Sequence, residues 1–73
     1  KYPNLERLCL DGNQLTEIGF AAGLPKLTYL SLNNNYVTEL SALHQMEDLK
    51  YLDIRMNPIT STIENDESIV ILK

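Results

Sequence analysis

The chain has 73 residues, ten acidic side chains against six basic ones and a net charge of −4. This balance argues against nucleic acid and anionic membranes as partners, because both are bound by basic surfaces. Domains shorter than ~70–80 residues usually rely on disulfides, a metal or neighbouring structure. With Cys9 as the only cysteine and His44 as the only histidine, neither an internal disulfide nor a Cys/His zinc site can form within the chain.

Three copies of one pattern begin at Leu5, Leu27 and Leu49, each 22 residues after the last. The copies read LERLCLDGNQL, LTYLSLNNNYV and LKYLDIRMNPI, which is L-x-x-L-x-[LI]-x-x-N-x-[LVI] in each case. The period of two within L-x-L directs both apolar side chains to one face of a short strand. We therefore predict neighbouring parallel strands with one continuous apolar core, at Leu8–Leu10, Leu30–Leu32 and Leu52–Ile54.

One asparagine follows each of these strands, at Asn13, Asn35 and Asn57. The chain leaves the sheet at this point, and backbone groups buried there without partners would cost roughly 1–3 kcal/mol each. An asparagine amide both donates and accepts hydrogen bonds. We expect the three side chains to form a buried structural ladder, bonded to the backbone of their own and adjacent repeats.

The segments between the strands carry apolar residues at every third position. This spacing predicts 3₁₀ or short helical turns, in which residues i and i+3 share a face. The residues are Ile18, Ala21 and Leu24 in the first segment, and Leu40, Leu43 and Met46 in the second.

Both ends of the chain depart from the pattern. Residues 1–4 align with the end of a repeat, so we expect them to be the tail of a preceding repeat and the chain to be part of a longer array. ENDE at 64–67 is typical of a solvated acidic loop, whereas SIVIL at 68–72 is compatible with a strand or a buried helical turn. The expected organisation is a single segment, 1–73, with repeats at about 5–26, 27–48 and 49–70.

This pattern resembles the leucine-rich repeat family in its short 22-residue class, as in a type-1 phosphatase regulatory subunit, axonemal dynein light chains and internalins. The resemblance implies an α/β solenoid, a right-handed coil with short parallel strands on a concave face and 3₁₀ or short helical turns on a convex face. It also implies a non-catalytic scaffold or targeting module. Such a module would contact flanking repeats of its own chain and bind a partner protein through the concave sheet.

The outward positions of the strands provide the candidate binding residues. Arg7, Tyr29 and Tyr51 occupy one column across the three copies, and tyrosine and arginine are enriched at interface hot spots. The alternative is that they only stack on one another, with a cation–π contact. Cys9 is either a reactive thiol or a small filler, and His44 is expected to be exposed on the convex side. The predicted concave contacts are Arg7, Tyr29, Tyr51, Asp53, Arg55, Asn33 and Asp11.

Catalysis receives no support from the sequence. There is no paired nucleophile and base, no Gly-rich phosphate loop and no placed carboxylate pair, so we expect no catalytic residue, cofactor or metal. An enzyme with a repeat-built site and an extracellular recognition fragment, internalin- or receptor-like, are the rival interpretations. The lone cysteine and the lack of a glycosylation sequon favour a cytoplasmic location, with the nucleus, cytoskeleton and cilium left open.

Overall fold

A computed structural model of the protein describes residues 3–60 and 68–73. Within these residues, four three-residue strands form one sheet in the order of the chain, and every neighbouring pair is parallel. Parallel neighbours require a crossover between successive strands, so the chain coils in the solenoid-like manner that the repeat predicts. The strands are β1 Arg7–Cys9, β2 Tyr29–Ser31, β3 Tyr51–Asp53 and β4 Val70–Leu72.

The first three strands begin and end one residue earlier than predicted. The following residue of each still joins the ladder through its amide: Leu10 N donates to Ser31 O at 2.9 Å, and Leu32 N donates to Asp53 O at 2.7 Å. The difference is therefore one of boundary, and the predicted parallel pairing is confirmed.

The central residues of the strands form the apolar core. The register aligns Leu8 with Leu30, Leu30 with Leu52 and Leu52 with Ile71. Leu30 and Leu52 are fully buried because a strand lies on each side of them. Leu8 and Ile71 are only half-buried, since each has a neighbouring strand on one side within the described part of the chain. Burial of a leucine is worth about 1.5–3 kcal/mol, so the leucines of the two inner strands contribute more than the half-buried residues of the outer two.

The crossovers contain the predicted 3₁₀ turns, at Gly19–Gly23 and Ser41–Gln45. In the first crossover the amide of Ala21 donates to Ile18 O, and the amide of Leu24 donates to Ala21 O, both at 3.0 Å. The second crossover repeats these bonds, Leu43 N to Leu40 O and Met46 N to Leu43 O. The residues that carry the i→i+3 hydrogen bonds are thus the apolar residues whose spacing predicted the turn.

The fourth strand departs from the 22-residue period. Leu30 follows Leu8 by 22 residues, but Ile71 follows its partner Leu52 by only 19. Of the two alternatives for SIVIL, the structure shows the strand. The acidic segment at 64–67 and the first two residues lie outside the described residues. Of the helices that are described, none has the length and apolar character needed to cross a membrane.

Candidate protein-binding face

The concave face is the side of the sheet that faces away from the leucine core. Because strand side chains alternate between the two faces, the first and third residues of every strand point to it. In register, these residues form two columns across the sheet. The first column is Arg7, Tyr29, Tyr51 and Val70, and the second is Cys9, Ser31, Asp53 and Leu72.

A stack of planar groups runs along the first column. The guanidinium carbon of Arg7 lies 4.3 Å from the centre of the Tyr29 ring. The rings of Tyr29 and Tyr51 have their centres 4.5 Å apart and are inclined by 4°, a spacing close to the ~4.7–4.9 Å between strands. Burial against its neighbours raises the pKa of the Tyr51 phenol, so the Tyr51 ring is neutral at physiological pH.

Hydrogen bonds join neighbouring repeats at the second column and at the residues that follow the strands; we call this region the lower part of the face. The Asp11 carboxylate accepts from Ser31 Oγ at 2.7 Å and from the backbone N of Asn33 at 2.8 Å. The hydrogen bond from Ser31 is the main cause that lowers the pKa of Asp11, so Asp11 keeps its negative charge. Asn33 Nδ2 donates to Asp53 Oδ2 at 3.0 Å, while Asn33 Oδ1 has no partner among the described residues. These bonds fix the lower part of the face as one unit.

Asp53 supports Arg55 and does not itself reach the surface. Its carboxylate accepts from the backbone N, Nε and Nη2 of Arg55 at 3.2, 3.0 and 2.8 Å, and Asp53 is only 3% exposed. The hydrogen bonds with Arg55 are the largest cause lowering the pKa of Asp53, and they raise the pKa of Arg55 in turn. The sequence predicted Asp53 as a contact residue. In the structure its short side chain lies below the longer Arg55, whose side chain is 54% exposed.

The asparagines link consecutive repeats where the strands end. Asn35, which is 3% exposed, accepts from Leu15 N at 3.1 Å and donates to Leu10 O and Leu32 O, both at 3.0 Å. Its amide therefore contacts the preceding repeat and its own, and this holds the strand ends in register.

The other two asparagines differ in burial. Asn57 is half-buried and repeats the pattern, accepting from Val37 N at 3.1 Å and donating to Leu32 O at 2.8 Å. Asn13 is exposed and donates only within its own repeat, to Leu10 O at 2.8 Å and Asp11 O at 3.4 Å. The expectation that all three would be buried is confirmed only for Asn35. Asn57 is half-buried, and the expectation is wrong for Asn13, because no strand precedes β1 among residues 3–60 to cover it.

The turn after each of the first three strands contains a residue in the left-handed backbone region. The φ angles are +72° at Gly12, +61° at Asn34 and +63° at Met56. Glycine and asparagine adopt this conformation readily, whereas other L-residues lose roughly 1–2 kcal/mol in it. Met56 is therefore strained by its backbone conformation. Its apolar side chain is also 76% exposed, at the rim of the concave face.

The comparisons with known proteins agree with this repeated geometry. A family model described as Leucine Rich repeats (2 copies) matches residues 3–43 and 25–67, which together make up most of the chain. This chain belongs to the leucine-rich repeat family. No curated protein and no solved structure matches it. Leucine-rich repeats generally mediate protein–protein interaction and are typically non-catalytic, which makes the concave face of this leucine-rich repeat chain the candidate site.

Two residues of this leucine-rich repeat face were missed by the sequence reasoning. Val70 and Leu72 extend the two concave columns, but the 22-residue period does not align them; the alternation within SIVIL was the available signal. Cys9 is an exposed free thiol on the same face. His44 is exposed on the convex side.

Within residues 3–60 and 68–73, no group of three or more His, Cys, Asp or Glu side chains could hold a metal ion.

Proposed function

We propose that this chain is a protein-binding module whose concave face binds one partner protein and performs no catalytic step. The observation that supports it is the stack of Arg7, Tyr29 and Tyr51, which crosses three repeats on the open side of the sheet. Tyrosine provides a large contact area with few rotatable bonds, so little entropy is lost when a partner docks. The stack also holds both rings in place before binding, which lowers that cost further.

The polar residues below the stack complete the proposed contact surface. Asp11, Asn33 and Arg55 lie at the lower part of the face, and Asp53 holds Arg55 in position. Charges of both signs at the edge of an interface contribute to orientation and association rate more than to affinity. We therefore assign the affinity to the tyrosines and the orientation of the partner to these polar groups.

We further propose that the module acts as a scaffold or targeting element in a reducing, cytoplasmic compartment. The support is Cys9, an exposed thiol with no second cysteine in the chain, because thiols stay reduced in the cytosol and are oxidised in secretory compartments. Alkylation of Cys9 in intact cells, read by mass spectrometry, tests this location. Recovery of Cys9 as a mixed disulfide from the secreted fraction would contradict it.

The binding proposal is tested with a partner captured by the full-length protein and identified by mass spectrometry. We expect Tyr51→Ala to weaken the purified complex by about 5- to 30-fold, as for an interface anchor. The matched control is His44→Ala, on the opposite side of the molecule. Circular dichroism should show that both variants remain folded. Wild-type affinity for Tyr51→Ala, with a loss for His44→Ala, would place the working surface on the convex side.

A further inference from the structure

The stack on the concave face stops at the fourth strand. On the first three strands the stack consists of a guanidinium and two phenol rings. On the fourth strand the register partner of Tyr51 is Val70, whose short aliphatic side chain is 57% exposed. The place discussed below is the space over Val70, beside the Tyr51 ring. Tyr29 covers one side of the Tyr51 ring. Among the described residues, no ring or guanidinium is stacked on its other side.

We propose that an aromatic side chain of the partner occupies this place, stacked on the second side of the Tyr51 ring and resting on Val70. The inference rests on the proposed concave-face function and specifies the chemistry of its anchor. The stack would then continue across the interface with the spacing it already has, 4.5 Å between ring centres. Offset aromatic pairs add to affinity beyond the area that they bury.

Local charge favours an aromatic ring over a guanidinium at this place. Arg7 shows that a guanidinium can cover the other end of the stack, so both groups fit the geometry. Lys50 is exposed, and its backbone adjoins Val70, since its carbonyl accepts from Val70 N at 2.9 Å. The Lys50 side chain does not point to the concave face, but it adds positive charge near this edge of the sheet. A second cation would be repelled there, whereas a neutral ring would not.

The neighbouring side chains support the same choice. The charge of Arg55 is compensated by Asp53, so no carboxylate of the third strand remains to attract a cation. Leu72 is half-buried on the same face of β4 and extends the apolar floor beyond Val70. An aromatic ring therefore finds one stacking partner and an apolar surface.

The test is an NMR titration of the 73-residue chain below its unfolding temperature. The probes are N-acetyl-tryptophanamide, N-acetyl-argininamide and N-acetyl-leucinamide. We expect only the tryptophan probe to produce saturable ring-current shifts of the Val70 methyl groups and the Tyr51 ring protons. Lys50→Ala should raise binding of the arginine probe relative to the tryptophan probe. Equal or stronger effects of the arginine or leucine probe on the wild type would overturn the proposal, as would no response to tryptophan.

A matched pair of variants tests the place itself. Val70→Tyr supplies a ring from the chain and should abolish the tryptophan response at Tyr51, while Val70→Ala leaves the place open and should keep it. The same substitution to tyrosine should weaken the natural complex by about 3- to 10-fold, the value of one aromatic pair. An unchanged probe response in folded Val70→Tyr would refute the inference.

The outcomes separate this inference from the function on which it rests. If Tyr51→Ala weakens the natural complex but the tryptophan probe does not bind, the concave face is the binding surface and the aromatic anchor is wrong. If Tyr51→Ala leaves the natural complex unchanged, the proposed function itself fails, whatever the probes do.

Discussion

Replacing Asn35 with alanine tests how much one buried amide contributes to the fold. The substitution removes hydrogen bonds to three carbonyl oxygens, of Leu10, Leu32 and Asn33, and the bond accepted from Leu15 N. The carbonyls keep other donors: Asn13 Nδ2 for Leu10, Asn57 Nδ2 for Leu32 and Gly12 N for Asn33. Leu15 N–H is the group that loses its side-chain acceptor.

The expected loss in free energy of unfolding follows from this count. One orphaned N–H costs about 1–3 kcal/mol, and the net loss of the remaining bonds adds about 1 kcal/mol. We therefore expect Asn35→Ala to lose about 2–4 kcal/mol. Asn13→Ala is the matched control, because Asn13 is exposed and accepts no hydrogen bond that the structure shows, and it should lose less than about 1 kcal/mol. Asn57→Ala should fall between them, since Asn57 has the same pattern but is half-buried.

Urea unfolding at low temperature, followed by circular dichroism, measures all three variants against the wild type. The midpoint gives the stability change as long as the slope with urea concentration is unchanged. A loss for Asn35→Ala no larger than that for Asn13→Ala would refute the reasoning, because it would mean that Leu15 N–H finds another partner or that its burial costs little.

Four further outcomes are expected. In urea titrations Leu30→Ala should lose about 3–4 kcal/mol and Leu8→Ala about half of that, because only the former is fully buried; equal losses would contradict the burial argument. Met56→Asn should gain about 0.5–1 kcal/mol by relieving the left-handed strain, and a lower midpoint would count against it. Asp53, paired with Arg55, has a folded-state pKa below its unfolded value of about 3.9. Its contribution is present above that pH and is lost as the pH falls through the lower folded-state pKa, so the advantage of wild type over Asp53→Asn should shrink below about pH 4. The isolated 73-residue chain should melt below about 60 °C, since the core-facing apolar side chains of the two outer strands are only half-buried. A higher calorimetric midpoint would show that this incomplete burial costs little stability.

Local periodicity made much of the fold predictable. The parallel strands and the 3₁₀ turns follow from spacings of two and three residues, which the geometry of each element imposes on nearby residues. The Arg7–Tyr29–Tyr51 column followed from the same spacing, because a constant repeat length places equivalent positions side by side. Its use as a binding surface stays a prediction.

Burial and register at the edges were not predictable in this way. Asn13 and Asn35 occupy identical positions in the pattern, yet only Asn35 is buried, because a preceding strand covers it. Asp53 has an outward position but lies below Arg55, and a three-residue change of period places Val70 beside Tyr51.

The amino-acid sequence by itself thus determined the repeat, the strand faces and the position of each turn, since these depend on residues a few places apart. Only the tertiary structure decided which of the equivalent side chains are buried, which carry strain and which remain open to a partner. Those properties depend on neighbours about 20 residues away in sequence and one strand spacing away in space, about 4.8 Å.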